Sequence, residues 1–167
     1  MSSFVVRPAT PADRDSIRHV EERAFGQPAE ADLVERLTTA GDVVLELVAE
    51  KDGVVIGHLV FSRLQVEEAG RRHPAVALAP VAVDPAQQRA EVGAALITAG
   101  HEQLQAAGET LSVVLGEPAY YCRFGYRRDA AARFASALQC EALQAQAWST
   151  AAPATGTLIY APAFGEL

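Results

Sequence analysis

The sequence predicts an α/β fold: a mixed, mostly antiparallel central sheet flanked by helices. Three observations predict it. Apolar runs of strand length are interspersed with segments whose apolar residues recur at helical spacing. An Asp-Gly pair, Asp52-Gly53, joins two of those runs directly, the mark of a hairpin. An apolar run ending at Val83 passes through Asp84-Pro85 into a helix, so the sheet also feeds a strand–turn–helix unit.

The elements follow in order. Residues 4–7 read as a first strand, closed by Pro8. Thr10 is placed to cap a helix with Pro11 at its first position, where the missing N–H costs nothing. Ile17, Val20, Glu21, Ala24 and Phe25 fall near one face of that helix, and Gly26 stops it. A second helix over 29–39 turns Leu33, Val34 and Leu37 inward, with Gly41 closing it. Strands over 43–50 and 54–64 flank the Asp-Gly turn, and their apolar runs suit burial on both faces. The polar stretch 65–73 reads as a loop, and 74–83 as a further strand. Pro80 sits inside that strand and marks a bulge or a break in pairing. The next helix runs through Val92, Leu96, Ala99 and Leu104 to a cap at Gly108. Residues 110–115 form a strand, Pro118 opens a short helix through Phe124, and Gly125 ends it. Extended structure resumes at Tyr126, 138–143 is ambiguous between strand and helix, and 156–160 is a last strand. The Ala/Gln-rich segment 138–155 is the weakest-patterned part of the chain.

A chain of 167 residues, 50% hydrophobic and 21% charged, suits one folded domain over 1–167 with a sizeable core. A net charge of −7 argues against a nucleic-acid binder. Cys122 and Cys140 have neither metal spacing nor a disulfide framework, which points to no metal and a reducing, cytoplasmic setting. No stretch approaches the length of a membrane span, so no membrane partner is expected.

The strand–turn–helix unit carries the first functional signal. A helix start offers unpaired N–H groups and the positive end of the helix dipole. Gly93, Ala94 and Ala95 let a ligand approach that backbone, and Arg89 adds a positive charge beside it. Together they make a phosphate cradle. The plainer reading is that most such units bind nothing and the glycine serves packing.

Three segments in order resemble the GNAT superfamily of acyl-CoA-dependent N-acyltransferases, in particular its small single-domain bacterial members. The run Leu78-Ala79-Pro80-Val81-Ala82-Val83-Asp84-Pro85 resembles the family's splayed fourth strand. The run Gln88-Arg89-Ala90-Glu91-Val92-Gly93 resembles its pyrophosphate loop. The run Ala119-Tyr120-Tyr121-Cys122-Arg123-Phe124-Gly125-Tyr126 resembles its late tyrosine-bearing helix. The resemblance covers nearly the whole chain. It implies acetyl-CoA as co-substrate, held by Val81, Ala82 and Val83 on the strand and by Gln88, Arg89, Ala90, Glu91, Val92, Gly93 and Ala94 in the loop. It implies that Tyr121 protonates the departing thiolate, a role a phenol suits because its ordinary pKa of about 10 keeps it protonated. The alternative for Tyr121 is a core aromatic with a locally satisfied hydroxyl. Dimers are common in the family, so a homodimer is an open expectation.

The chain departs from the family pattern at Glu91, where the loop has its first glycine. A positive φ there would cost a non-glycine residue about 1 kcal/mol. A carboxylate facing the pyrophosphate would repel it by about 1 kcal/mol at 4 Å in water and about 4 at an effective dielectric of 20. A glutamate pointing to solvent from a helix's first turn would instead be favourable. The general base is not obvious either. Glu117, just before the tyrosine helix, comes first, and Glu22 on the first helix second. His58 reads as a satisfied sheet histidine, and Cys122 as a small helix residue.

The expectation is an N-acetyltransferase acting by direct attack of a primary amine on acetyl-CoA, with a small-molecule or peptide acceptor. The alternative from another class is a non-catalytic ligand- or partner-binding module whose CoA site Glu91 has impaired. Arg71, Arg72, Arg123, Arg127 and Arg128 hint at an acidic acceptor, although loop arginines are commonly solvated.

Overall fold

The computed structural model describes residues 3–88 and 91–166. Strand β1 (Val5–Pro8) leads through a 3-10 turn, Pro11–Asp13, into α1 (Arg14–Phe25). Asp13 closes that turn by accepting from the Thr10 N–H at 2.8 Å and from its hydroxyl at 3.1 Å. Helix α1 ends at Gly26 and α2 (Ala29–Ala40) ends at Gly41, both left-handed caps that only glycine adopts cheaply. Strands β2 (Val43–Lys51) and β3 (Val54–Glu68) form the expected hairpin, with positive φ at Asp52 and Gly53.

Stretch 65–73, read from sequence as a loop, is instead a second hairpin. Strand β3 continues to Glu68, β4 (Arg71–Val83) begins three residues later, and Ala69-Gly70 makes the turn. The reason is cross-strand chemistry: Glu67 pairs with Arg72 at 3.2 Å, and Val66 on the other face is buried. Helix α3 (Val92–Ala106) follows, then β5 (Leu111–Leu115) and α4 (Pro118–Tyr121). After Tyr126 the chain does not stay extended. It forms α5 (Arg128–Ala131) and then the short strand β6 (Phe134–Ala135). Residues 138–142 form neither strand nor helix, and β7 (Leu143–Ala147) and β8 (Gly156–Ile159) complete the elements used below.

One sheet runs in the order β1-β2-β3-β4-β5-β7, with β8 on the far end of β3 and β6 beside β8. Its pairings are antiparallel except β4 with β5 and β6 with β8. Alternate residues of each strand face opposite layers. Leu47, Leu59 and Phe61 pack on Val92, Leu96 and Ile97 of α3. Val48 and Val60 pack on Ile17 of α1 and on Leu33 and Leu37 of α2. Among the described residues no helix is long and apolar enough to cross a membrane.

The sheet opens where β4 meets β5. Their parallel pairing covers Val76, Ala77 and Leu78 against Ser112, Val113 and Val114, and stops there. At that point β4 carries a bulge: Ala79 and Pro80 together stand opposite the single residue Val60. Pro80, joined by a cis peptide, has no N–H to donate, so both readings of the proline, bulge and broken pairing, apply.

Candidate active site

The opened edge of β4 is the first component of the site. Asp84 N–H donates to the Ile56 carbonyl at 2.8 Å. Ladder groups alternate in direction along an antiparallel strand, so Ala82, paired with His58, also turns its backbone towards β3. The backbone groups of Val81 and Val83 then face the side that β5 has left. The Val83 carbonyl accepts there from the Gln88 side chain at 3.3 Å.

The second component is the start of α3. Asp84 accepts from Ala86 N–H at 2.9 Å and pairs with Arg23 at 2.9 Å, which holds its carboxyl below the ordinary range and fixes the turn. Arg89 and Ala90 lie outside the described residues. Glu91 precedes the helix with φ +61°, the left-handed conformation that favours glycine. Its carboxylate meets Arg123 at 3.1 Å, and both side chains are largely exposed. Val92 turns into the core, while Gly93 and Ala94 line a cavity of about 310 Å³ with Val81, Val83, Gln88, Glu91 and Arg123. A Cβ on Gly93 would lie 2.7 Å from the Tyr120 hydroxyl, so the glycine admits that tyrosine over the helix start.

The third component is the tyrosine helix. Glu117 accepts from Ala119 N–H at 3.4 Å and so caps α4. A 3-10 turn, Cys122–Phe124, and Gly125 at φ +98° complete the bend. The Tyr121 ring lies flat enough on Gly116 that a Cβ there would fall 2.5 Å from it. Its edge meets Tyr120 at 5.0 Å and Tyr126 at 6.1 Å between ring centroids. Burial, with the neighbouring Tyr120, pushes the Tyr121 phenol up to about 12. Among the described residues its hydroxyl makes no hydrogen bond, unlike Tyr126, whose hydroxyl contacts Ser112 at 2.7 Å and His101 at 3.0 Å.

Two glutamines that the sequence reading passed over fix this bend. Gln144 on β7 donates to the Gly116 carbonyl at 3.3 Å, and Gln146 donates to the Phe124 carbonyl at 2.9 Å. The alternation of Leu143 and Ala145 with these glutamines is the signal that was present in the Ala/Gln-rich segment.

A larger cavity of about 710 Å³ adjoins the smaller one, and both are lined by Val81, Tyr120 and Tyr121. It runs along β4 and β5 to Gly116 and Glu117, and its far wall is Phe25, Glu30, Leu33, Tyr160 and Phe164. The structure therefore brings Val81, Tyr121 and Glu117 together. It does not bring Glu22, which pairs with Arg18 at 3.2 Å and is not in the lining. Stretch 65–73 does not line this cavity, nor do Arg71, Arg72, Arg123, Arg127 and Arg128. Arg123 belongs to the smaller cavity instead.

His58 is a sheet residue buried among ions. Its Nδ1 meets Glu21 at 2.6 Å and its Nε2 meets Glu46 at 2.7 Å. Burial alone would lower its pKa, but the two carboxylates outweigh that and raise it. Among the described residues no group of three or more His, Cys, Asp or Glu side chains is arranged to hold a metal ion.

A sheet wedged open beside a helix start, with a phenol at the junction, defines the class of acyl-CoA-dependent acyltransferases. The sequence profile of the acetyltransferase (GNAT) domain matches residues 5–128, and the chain belongs to that family. It is 38% identical to the uncharacterized N-acetyltransferase YjhQ of Escherichia coli over 69% of this chain and 65% of that protein. It is 37% identical to the uncharacterized N-acetyltransferase YhbS of Escherichia coli over 74% of this chain and 73% of that protein. Among solved structures, a GNAT family acetyltransferase from Brucella melitensis in complex with acetyl-CoA superposes with a TM-score of 0.82 at 33% identity, covering 98% of this chain and 99% of that one. Escherichia coli YhbS in complex with CoA superposes with a TM-score of 0.89 at 30% identity, covering 99% and 93% of the two chains.

Proposed function

We propose that this protein is an N-acetyltransferase that moves an acetyl group from acetyl-CoA to a primary amine by direct attack. The observation that carries the proposal is the junction: the two cavities meet where Val81, Tyr120 and Tyr121 line both. The smaller cavity suits the cofactor. Backbone N–H groups of Val92, Gly93 and Ala94, unpaired within the helix, suit the pyrophosphate, with Gln88 and Arg123 beside them. The Val81 and Val83 backbone suits the pantetheine arm as an added half-strand. That the relatives from Brucella melitensis and Escherichia coli were solved with acetyl-CoA and CoA supports this reading.

In the larger cavity a substrate ammonium first loses one proton, for which Glu117 is the acceptor. The neutral nitrogen then attacks the thioester carbonyl carbon while the Val81 N–H takes the oxyanion. The C–N bond forms, the C–S bond breaks, and the second amine proton balances the released thiol. Burial keeps the Tyr121 phenol protonated, at about 12, so it stands as a hydrogen-bond donor where the sulfur would lie. Tyr121 therefore serves by hydrogen-bonding the sulfur as charge develops on it, and the amine proton completes the thiol.

The binding-module reading rested on Glu91 in place of the loop glycine; its pairing with Arg123 lowers the charge cost, while the positive φ remains. We place the protein in the cytoplasm, in keeping with Cys122 and Cys140, both exposed and unlinked. Titration calorimetry with acetyl-CoA tests the proposal first. Micromolar binding, followed by thiol release with an amine and its loss in Tyr121→Phe, is the expected result. No binding of acetyl-CoA would remove the proposal.

A further inference from the structure

We propose that the acceptor is a primary amine on an apolar body that carries no acid group, and that Glu30 is the residue that selects it. This rests on the acetyltransferase reading above and adds the acceptor that reading leaves open. The argument starts from the larger cavity. At about 710 Å³ it falls in the small-molecule range of roughly 300–1,000 Å³. Its inner part along β4 and β5 belongs to the acyl arm. Its outer part, left for the acceptor, is walled by Phe25, Leu33, Leu138, Tyr160 and Phe164.

The charges of this wall have one sign. Among the described residues the carboxylates in the lining are Glu117 at the reacting end and Glu30 on the outer wall, and no lysine, arginine or histidine lines it. The nearby cations are committed elsewhere: Arg18 pairs with Glu22, Asp32 and Glu35, and Arg23 pairs with Asp84. Glu30 is held by the neutral donor Gln27, whose Nε2 lies 3.1 Å from each carboxylate oxygen, so its charge is oriented but not cancelled. An ammonium passing the outer wall towards Glu117 gains from that charge. A carboxylate or phosphate on the same substrate would be desolvated there without a counter-ion and repelled by Glu30.

The test compares matched pairs that share a body and differ in the acid group: 2-phenylethylamine against phenylalanine, and hexylamine against 6-aminohexanoate. Thiol release from acetyl-CoA by the full chain is followed, with calorimetry of acetyl-CoA run in parallel. We expect kcat/KM to favour the acid-free member of each pair by about a hundredfold, which is about 2.7 kcal/mol. In Glu30→Gln the preference shrinks to about tenfold or less while acetyl-CoA affinity is kept. A loss of folding would change both quantities, whereas a charge effect moves only the ratio. Equal or better use of the acidic members, or a ratio that Glu30→Gln leaves in place, overturns the inference. Acetyl-CoA binding with no turnover of either acid-free amine overturns it alone. Failure to bind acetyl-CoA overturns it together with the acetyltransferase reading.

Discussion

Glu91 and Arg123, thirty-two positions apart in the chain, are joined at 3.1 Å beside the start of α3. The pair resolves the one departure from the family's loop pattern. Glu91 does adopt the positive φ that glycine would take, so the backbone cost of about 1 kcal/mol is present. The electrostatic cost is reduced, because the carboxylate already faces a guanidinium that also stacks 5.5 Å from the Tyr120 ring centroid.

Arg123 is then expected to change partner when the cofactor arrives, leaving Glu91 for the pyrophosphate. Arg123→Ala should raise the Kd for acetyl-CoA by about tenfold, as for one lost charge-assisted contact. Glu91→Gly should tighten binding by no more than about fivefold, since an exposed ion pair is worth at most about 1 kcal/mol. Calorimetry of the two variants checks both, and weaker binding by Glu91→Gly would contradict the exchange of partners.

Tyr121→Phe should lower kcat by about a hundredfold or more with the acetyl-CoA Kd unchanged. The phenol is a donor only while protonated, and burial holds its pKa at about 12. Its donor state is therefore full below about pH 11 and is lost only above that. The pH–rate profile of the wild type should show no fall between pH 8 and 10 that Tyr121→Phe abolishes.

Gly116→Ala tests the ring's seat without touching its hydroxyl. The added Cβ would fall 2.5 Å from the Tyr121 ring edge, closer than any contact side chains sustain. The ring must shift from this seat, and kcat should fall by about tenfold or more, as small displacements of catalytic groups do. A melting temperature near that of the wild type, read by calorimetry, would separate this from unfolding.

His58 predicts a pH dependence of stability rather than of catalysis. Its folded pKa is raised by Glu21 and Glu46 above the unfolded value of about 6.5. The native state therefore holds the proton more tightly. The stabilisation is complete below about pH 6.5 and is lost as pH rises through the folded value. The wild type should lose melting temperature on that rise relative to His58→Gln. At pH 6 His58→Gln should be destabilised by about 3 kcal/mol or more, since it leaves the buried Glu21 without its charged partner while Glu46 keeps Arg14.

Much of the fold was legible because it depends on local chemistry. Gly26 and Gly41 ended their helices, Asp52-Gly53 made its hairpin, and Pro80 marked the bulge. The residues that failed to announce themselves act across long separations. Glu67 and Arg72 stand opposite each other in the hairpin that looked like a loop, because paired opposite charges look like a polar run in one dimension. Gln144 and Gln146, in a segment with little hydrophobic contrast, hold the carbonyls of Gly116 and Phe124 from a strand that joins the sheet late.

The sequence by itself pointed to the family and to the order of most elements as far as α4, and it singled out Tyr121, Glu117 and the loop before α3. These depend on residue type at fixed spacing. Only the tertiary structure decided that Glu91 is paired with Arg123, that Glu22 is turned away on Arg18, and that Glu30 lines the same cavity as Glu117. Charge pairing depends on which side chains the packed layers bring within a few ångströms, and no local pattern encodes that distance.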